Sequence, residues 1–253
     1  MSGEATVYLA GPAMLPLIRG TARLGDADLG GFAVIGGVAV SARLGRAHRA
    51  TADVDTVVDD DRPPDALDVL HHLTGATPDA THRHRVYIEG TKVEVIGTGA
   101  VTELDLEGLN DRQIHFVAAH RWALETATPV TLIGEDGTRA TVPMARPSAL
   151  VAMKLHAIQD RRLVGGSDKR GSDAWDIYRL ITDLDIGGTA KELRSMLPSL
   201  TRVVVAAANE ILVERASRTR GWLRTGDAQM ASVGSDDLIA AGIDLIERIA
   251  GRD

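Results

Sequence analysis

The pattern of apolar and polar residues changes in character along the chain. The first half contains short apolar runs separated by turn residues, which predict strands that alternate with short helices. Later stretches, such as residues 201–216 and 236–249, have apolar residues at helical spacing. We therefore predict an α/β (α+β) protein: residues 1–145 form a mixed sheet with flanking helices, and residues 146–253 form a helical domain.

Residues 32–58 contain the most informative part of this pattern. Phe32–Ile35 is an apolar run that predicts a buried strand, and Gly36 and Gly37 follow it directly. A short helix is predicted over residues 38–44, and a basic loop leads from it to a second strand. The order strand, glycine pair, helix, loop and strand is the unit around which we interpret the rest of the chain.

Two aspartates begin the second strand of this unit. Asp53 and Asp55 point to the same face, because side chains alternate along a strand. Neighbouring carboxylates repel each other unless a positive group neutralises them. Carboxylates are ligands for Mg²⁺, and glycine amides at a helix start suit phosphate oxygens. The combination predicts a magnesium and triphosphate site, although a solvated strand edge or an ordinary strand end would explain either part alone.

These residues carry a resemblance to a known family. The glycine pair followed by the pattern R-x-T-x-D-x-D resembles the nucleotidyltransferase superfamily related to DNA polymerase beta, and within it the AbiEii- and MenT-type toxins. The resemblance covers roughly residues 30–182. It implies a two-ion Mg²⁺ site at the aspartates and an NTP bound by Gly36, Gly37, Arg49 and Thr51. Val38 departs from the pattern, since Ser or Thr often follows the glycines.

A predicted hairpin supplies a candidate for a third metal ligand. Residues 86–88 and 91–96 predict two strands joined at Glu89 and Gly90, and Lys92 and Glu94 share one face of the second strand. In the superfamily, a third carboxylate comes from a strand beside the paired aspartates, so the resemblance makes Glu94 the candidate. An exposed polar face is the other interpretation of this alternation.

A second segment of interest begins the helical half. Lys154 lies on a predicted helix beside an apolar seam, and residues 165–171 predict a glycine-rich loop. Ser172 is then expected to cap a helix over residues 173–181. A lysine that extends to solvent from a core helix would also explain Lys154.

The patterns K-L-x-A-I-x-x-R and D-x-x-D-I-Y-x-L in this segment are similar to C-terminal motifs of the AbiEii and MenT group. The resemblance implies that Lys154 neutralises nucleotide phosphate. It also implies that Asp173 or Asp176 orients this lysine or assists the acceptor. Asp173 would equally be favoured in a first helical turn by the helix dipole, and the sequence does not choose between the aspartates.

The composition limits the cellular location and the kinds of site that the protein can have. The chain has 253 residues and no cysteine, which excludes disulfides and cysteine-ligated zinc and fits a reducing cytoplasm. We expect a soluble cytoplasmic protein without a signal peptide or a membrane partner, because the start lacks a basic region and no apolar run is long enough to span a bilayer. The net charge of −7 argues against extensive nonspecific binding to nucleic acid.

These observations lead to one main functional hypothesis. The chain is predicted to transfer the NMP of an NTP to an acceptor hydroxyl and to release pyrophosphate. By resemblance, the acceptor is the 3′ end of tRNA, and the protein is the toxin of a toxin–antitoxin system with a possible cognate antitoxin. Transfer to a protein or to a small molecule such as an aminoglycoside would use the same site. A non-catalytic protein of the same fold that binds a nucleotide or a partner is the alternative of a different class.

Overall fold

The computed structural model describes residues 5–164 and 168–252, without side chains for residues 162–164 and 168. The chain divides into two compact units. The first comprises Met1–Ala100 and His120–Arg146, and the second comprises Val101–Ala119 and Pro147–Asp253.

The first unit is organised around a mixed sheet, as predicted, with eight strands among the described residues. The strands are β1 (Ala5–Tyr8), β2 (Phe32–Ile35), β3 (Asp53–Asp59), β4 (Ala76–Pro78), β5 (Arg85–Ile88), β6 (Thr91–Thr98), β7 (Thr128–Ile133) and β8 (Arg139–Met144). Their order is β1-β7-β8-β2-β3-β6-β5-β4. The pairs β1–β7, β2–β8 and β3–β6 are parallel, and the other neighbours are antiparallel.

Within the part of the chain that the structure describes, three helices belong wholly to the first unit: α1 (Met14–Asp26), α2 (Gly36–Arg43) and α3 (Ala66–His72). Helix α1 packs on the sheet with buried Leu17, Ile18 and Leu24, and Thr91 of β6 donates a hydrogen bond to the carbonyl of Pro16. Helix α2 begins two residues earlier than predicted, directly at the glycine pair.

The second unit is helical. A 3₁₀ turn (Leu104–Leu106) precedes α4 (Asp111–Thr126), whose last residues belong to the first unit. The helices that follow are α5 (Pro147–Val164), α6 (Asp168–Thr182), α7 (Ile186–Arg194), α8 (Pro198–Ala208), a π-helical stretch (Asn209–Glu214), α9 (Ala216–Leu223), α10 (Ala228–Ser232) and α11 (Ser235–Ile249). None of the helices in the described ranges is long and apolar enough to cross a membrane.

The prediction of a loop before α6 is wrong in part. Residues 165–167 lie outside the described residues, but residues 168–171 are helical, so α6 starts at Asp168 and Ser172 does not cap it. A Cβ atom at Gly171 would lie 2.7 Å from the carbonyl oxygen of Trp222. The glycine therefore permits close packing of α6 against α9. This tertiary contact outweighs the low helix propensity of glycine.

Candidate active site

The turn between β2 and α2 is fitted closely to the aspartate strand. The antiparallel register places Ile35 opposite Asp55, so the next residue, Gly36, lies beside the Asp55 side chain. Gly36 has φ +68°, and a Cβ atom there would lie 1.9 Å from Asp55 Oδ2. Only glycine meets both conditions without strain, because other residues rarely adopt this φ and would displace the carboxylate.

The second glycine of the pair is fitted to the loop before β3. A Cβ atom at Gly37 would lie 2.7 Å from Thr51 Oγ1 and 3.1 Å from Arg49 Nη2. Gly37 is therefore packed against Arg49 and Thr51, as Gly36 is against Asp55, so the glycine pair has a packing role in addition to any role toward phosphate. Val38 is fully buried, so its side chain belongs to the core.

Three carboxylates meet on one face of the sheet. Strands β3 and β6 run parallel, with Asp53 opposite Lys92 and Asp55 opposite Glu94. One carboxylate oxygen from each of Asp53, Asp55 and Glu94 lies within 4.8 Å of the other two, and all three residues are half-buried. The structure thus brings together the three residues predicted as metal ligands. We call them the carboxylate cluster.

Lys92 and Arg85 also contact this cluster, and sequence reasoning assigned neither of them to the site. Lys92 Nζ lies 2.9 Å from Asp53 Oδ2 and 3.2 Å from Glu94 Oε1. Arg85 of β5 donates two hydrogen bonds to Glu94 Oε1, at 3.0 Å from Nε and 2.6 Å from Nη2. The alternation that placed Lys92 and Glu94 on one face was the available signal. The pairing of β5 with β6, which puts Arg85 opposite Glu94, was needed for the rest.

These contacts stabilise the charged forms of Glu94 and Lys92. Burial alone would raise the pKa of the Glu94 carboxyl, but the hydrogen bonds from Arg85 and Lys92 outweigh burial and the pKa lies below its ordinary value. Burial alone would lower the pKa of Lys92, but Asp53 and Glu94 outweigh it, and the pKa lies above its ordinary value. Both groups are therefore ionised at neutral pH.

The carboxylate cluster fits a divalent cation by the chemistry of its donors. Mg²⁺ takes oxygen ligands and is commonly held by one or two carboxylates together with substrate phosphates. Asp53 and Asp55 project from adjacent positions of one face, next to the start of α2, where backbone amides favour anions. A hard cation and a phosphate group can therefore be held side by side in this unit.

Other basic residues near the motif have structural partners. Arg43, at the end of α2, donates hydrogen bonds to the carbonyls of Met144 and Ala145 and to Thr128 Oγ1. His48 is buried and lies 3.3 Å from Ser41 Oγ through its Nδ1 atom. These contacts hold the basic loop and α2 against the sheet.

The second group of predicted site residues lies in the helical unit. Lys154 Nζ of α5 lies 2.9 Å from Asp173 Oδ1 and 2.9 Å from Asp176 Oδ2 of α6. Arg161 Nη1 lies 2.6 Å from Asp173 Oδ2. Both aspartates are buried, and only 12% of the Lys154 side chain is exposed. We call these four residues the lysine cluster; its two aspartates hold Lys154 at equal distances.

A comparison with protein-family models relates this chain to known proteins. The model described as the nucleotidyl transferase AbiEii toxin of type IV toxin–antitoxin systems matches residues 26–230. The chain belongs to this family. None of the curated proteins with which the chain was compared matches it significantly.

Membership in the AbiEii family confirms the resemblance to AbiEii-type toxins that was drawn from the motifs. The family match includes the glycine pair, the carboxylate cluster and the lysine cluster. This AbiEii-family protein is therefore a nucleotidyltransferase toxin by family.

Proposed function

We propose that this AbiEii-family protein transfers the NMP of an NTP to an acceptor hydroxyl, with release of pyrophosphate, at the carboxylate cluster. The observation that carries the proposal is the fit between Gly36 and Asp55. A glycine that starts a helix is held against a carboxylate whose oxygen lies within 4.8 Å of two others. This arrangement suits one site for both metal and phosphate.

The residues of the first unit have distinct parts in this proposal. Asp53 and Asp55 would hold Mg²⁺, with Glu94 beside them as the third carboxylate of the cluster. The ion would supply charge neutralisation at the phosphates and lower the pKa of the attacking hydroxyl. Gly36 and Gly37 offer backbone amides to phosphate oxygens at the start of α2. Arg49 and Thr51, which pack against Gly37, position this turn and bind the nucleotide. Such catalysis relies on alignment and electrostatics.

The lysine cluster has the part of a cation toward phosphate in this proposal. Lys154 carries the positive charge that offsets the charge of the departing pyrophosphate. Asp173 and Asp176 are positioning residues, since each lies 2.9 Å from its ammonium group. Two buried partners fix the direction of a side chain that would otherwise be flexible.

We propose tRNA, at its 3′ end, as the acceptor, and growth arrest through blocked translation as the consequence. The second unit offers basic surface despite the net charge of −7. Four exposed arginines lie on or beside α9: Arg215, Arg218, Arg220 and Arg224. The guanidinium groups of Arg170 and Arg218 lie 5.0 and 5.8 Å from the ring centroid of Trp222. Stacked guanidinium groups present their N–H edges to phosphate, which favours a polyanionic acceptor over a small molecule.

We propose that the protein acts in the cytoplasm. The proposed function is tested by measuring transfer with the purified protein. The protein is incubated with Mg²⁺, total tRNA and each labelled NTP in turn, beside Asp55→Asn and the matched surface variant Asp68→Asn on α3. We expect label on tRNA with the native protein and with Asp68→Asn, and loss of label with Asp55→Asn or EDTA.

Each other result has a definite meaning. Label on protein in place of tRNA would overturn the acceptor and keep the site. Undiminished transfer by a folded Asp55→Asn variant would overturn the site. Absence of label on every added acceptor, with growth unaffected by expression of the protein, would favour the non-catalytic alternative.

A further inference from the structure

The ammonium group of Lys92 lies inside the carboxylate cluster. It is 2.9 Å from Asp53 Oδ2 and 3.2 Å from Glu94 Oε1. This position follows from the parallel register of β3 and β6, which sets Lys92 directly opposite Asp53. Lys92 therefore contacts the same oxygen-bearing groups that a bound divalent ion would use.

Positive side chains offset part of the charge of the cluster before any ion binds. Lys92 and Arg85 both contact the Oε1 atom of Glu94. Lys92 also contacts Asp53. The Lys92 and Glu94 side chains are only about one quarter exposed, at 26% and 27%, so solvent screens their interaction incompletely.

We propose that Lys92 is a positioning residue that serves as a built-in cation, so that the cluster accepts one tightly bound divalent ion, at Asp53 and Asp55, and Glu94 is held by Lys92 and Arg85. This inference rests on the proposed function, because it takes the cluster as the metal site. It replaces the two-ion site expected from the resemblance by a site with one ion and one lysine.

The physical consequence concerns both the metal-free and the metal-bound protein. Without Lys92, Asp53 and Glu94 would repel each other across the strand pair and would attract a divalent ion more strongly. Removal of this positive charge from the cluster should tighten the binding of a divalent ion by about tenfold or more, even with partial screening by solvent. The metal-free protein would lose stability that an added ion restores.

The experiment measures Mn²⁺ binding to the full chain by calorimetry and by electron paramagnetic resonance, without NTP or acceptor. The native protein is compared with Lys92→Met and with the charge-conserving Lys92→Arg. We expect one tightly bound Mn²⁺ in the native protein and in Lys92→Arg. We expect at least about tenfold tighter binding, or a second bound ion, in Lys92→Met. Thermal unfolding in EDTA should show a lower Tm for Lys92→Met, restored by Mg²⁺.

A second comparison tests the inference if Lys92→Met does not fold. Glu94→Gln should change Mn²⁺ affinity by less than about threefold, whereas Asp55→Asn should abolish binding. Equal loss of affinity in Glu94→Gln and Asp55→Asn would overturn the inference, as would unchanged affinity and stoichiometry in a folded Lys92→Met. Two tight ions in the native protein would also overturn it. Normal Mn²⁺ binding without NMP transfer would refute the proposed function alone, because the binding assay contains neither substrate.

Discussion

Substitution of Gly36 by alanine tests the link between the glycine pair and the acidic site. The residue has φ +68°, and the new Cβ atom would lie 1.9 Å from Asp55 Oδ2 and 2.8 Å from its Cγ. Ordinary contact begins at 3.4 Å, so the Asp55 carboxylate must move by about 1.5 Å or the turn must shift by a similar amount. Either movement separates the phosphate-binding amides from the carboxylate.

The expected magnitudes follow from two separate effects. A side chain in the left-handed region costs about 1–2 kcal/mol of stability. Overpacking against Asp55 adds about 1–3 kcal/mol. Displacement of a catalytic group by about 1 Å reduces the rate by about 10²-fold, so transfer should fall at least this far in Gly36→Ala. Mn²⁺ affinity should fall with it.

Gly45 provides a matched control in the same unit. It has φ +70°, but a Cβ atom there meets no atom of the described residues within 4 Å. Gly45→Ala should therefore show the cost of the left-handed conformation alone, about 1–2 kcal/mol, with transfer and metal affinity retained. Urea unfolding gives both stabilities, and transfer is measured under conditions in which both variants remain folded.

The difference between these two variants isolates the contact with Asp55. Equal stability, transfer and Mn²⁺ affinity in Gly36→Ala and Gly45→Ala would refute the reasoning, since the collision would then have no consequence. Loss of stability in Gly36→Ala with full transfer activity would show that the turn and the carboxylate work independently.

Two further predictions concern ion pairs outside the carboxylate cluster. Lys154→Met should lower the free energy of unfolding by about 3 kcal/mol because it leaves the buried aspartates of the lysine cluster without that cation, whereas the exposed Lys191→Met on α7 should change it by less than about 0.5 kcal/mol; equal urea midpoints would contradict this. Asp136→Asn tests a pH effect. Hydrogen bonds from Thr138 and then Arg19 lower the pKa of Asp136 to about 2 from 3.8. Because this pKa is depressed in the folded state, the stabilisation is present above pH 3.8 and is lost as the pH falls toward 2. The difference between native and variant unfolding midpoints should therefore shrink over this range, and a constant difference would refute the assignment.

The local sequence pattern was sufficient to predict much of the fold. The apolar run of β2, the glycine pair and the alternation of Asp53 and Asp55 predicted their elements because each depends on residues close together in sequence. The mixed sheet and the helical second half followed in the same way. The start of α6 could not be predicted in this way. Gly171 allows close packing on Trp222, and this contact depends on a residue that is distant in sequence.

The site shows the same division. The alternation along each strand was enough to predict that Asp53 and Asp55 share a face and that Lys92 and Glu94 share another, and the motif showed that glycines precede the acidic strand. That these two faces are one depends on the parallel register of β3 and β6, which local alternation does not specify. Likewise, only the packing of α5 on α6 decided that Lys154 has two carboxylate partners. Periodicity fixes the direction of a side chain along its own element, but distances between elements depend on packing across the whole chain.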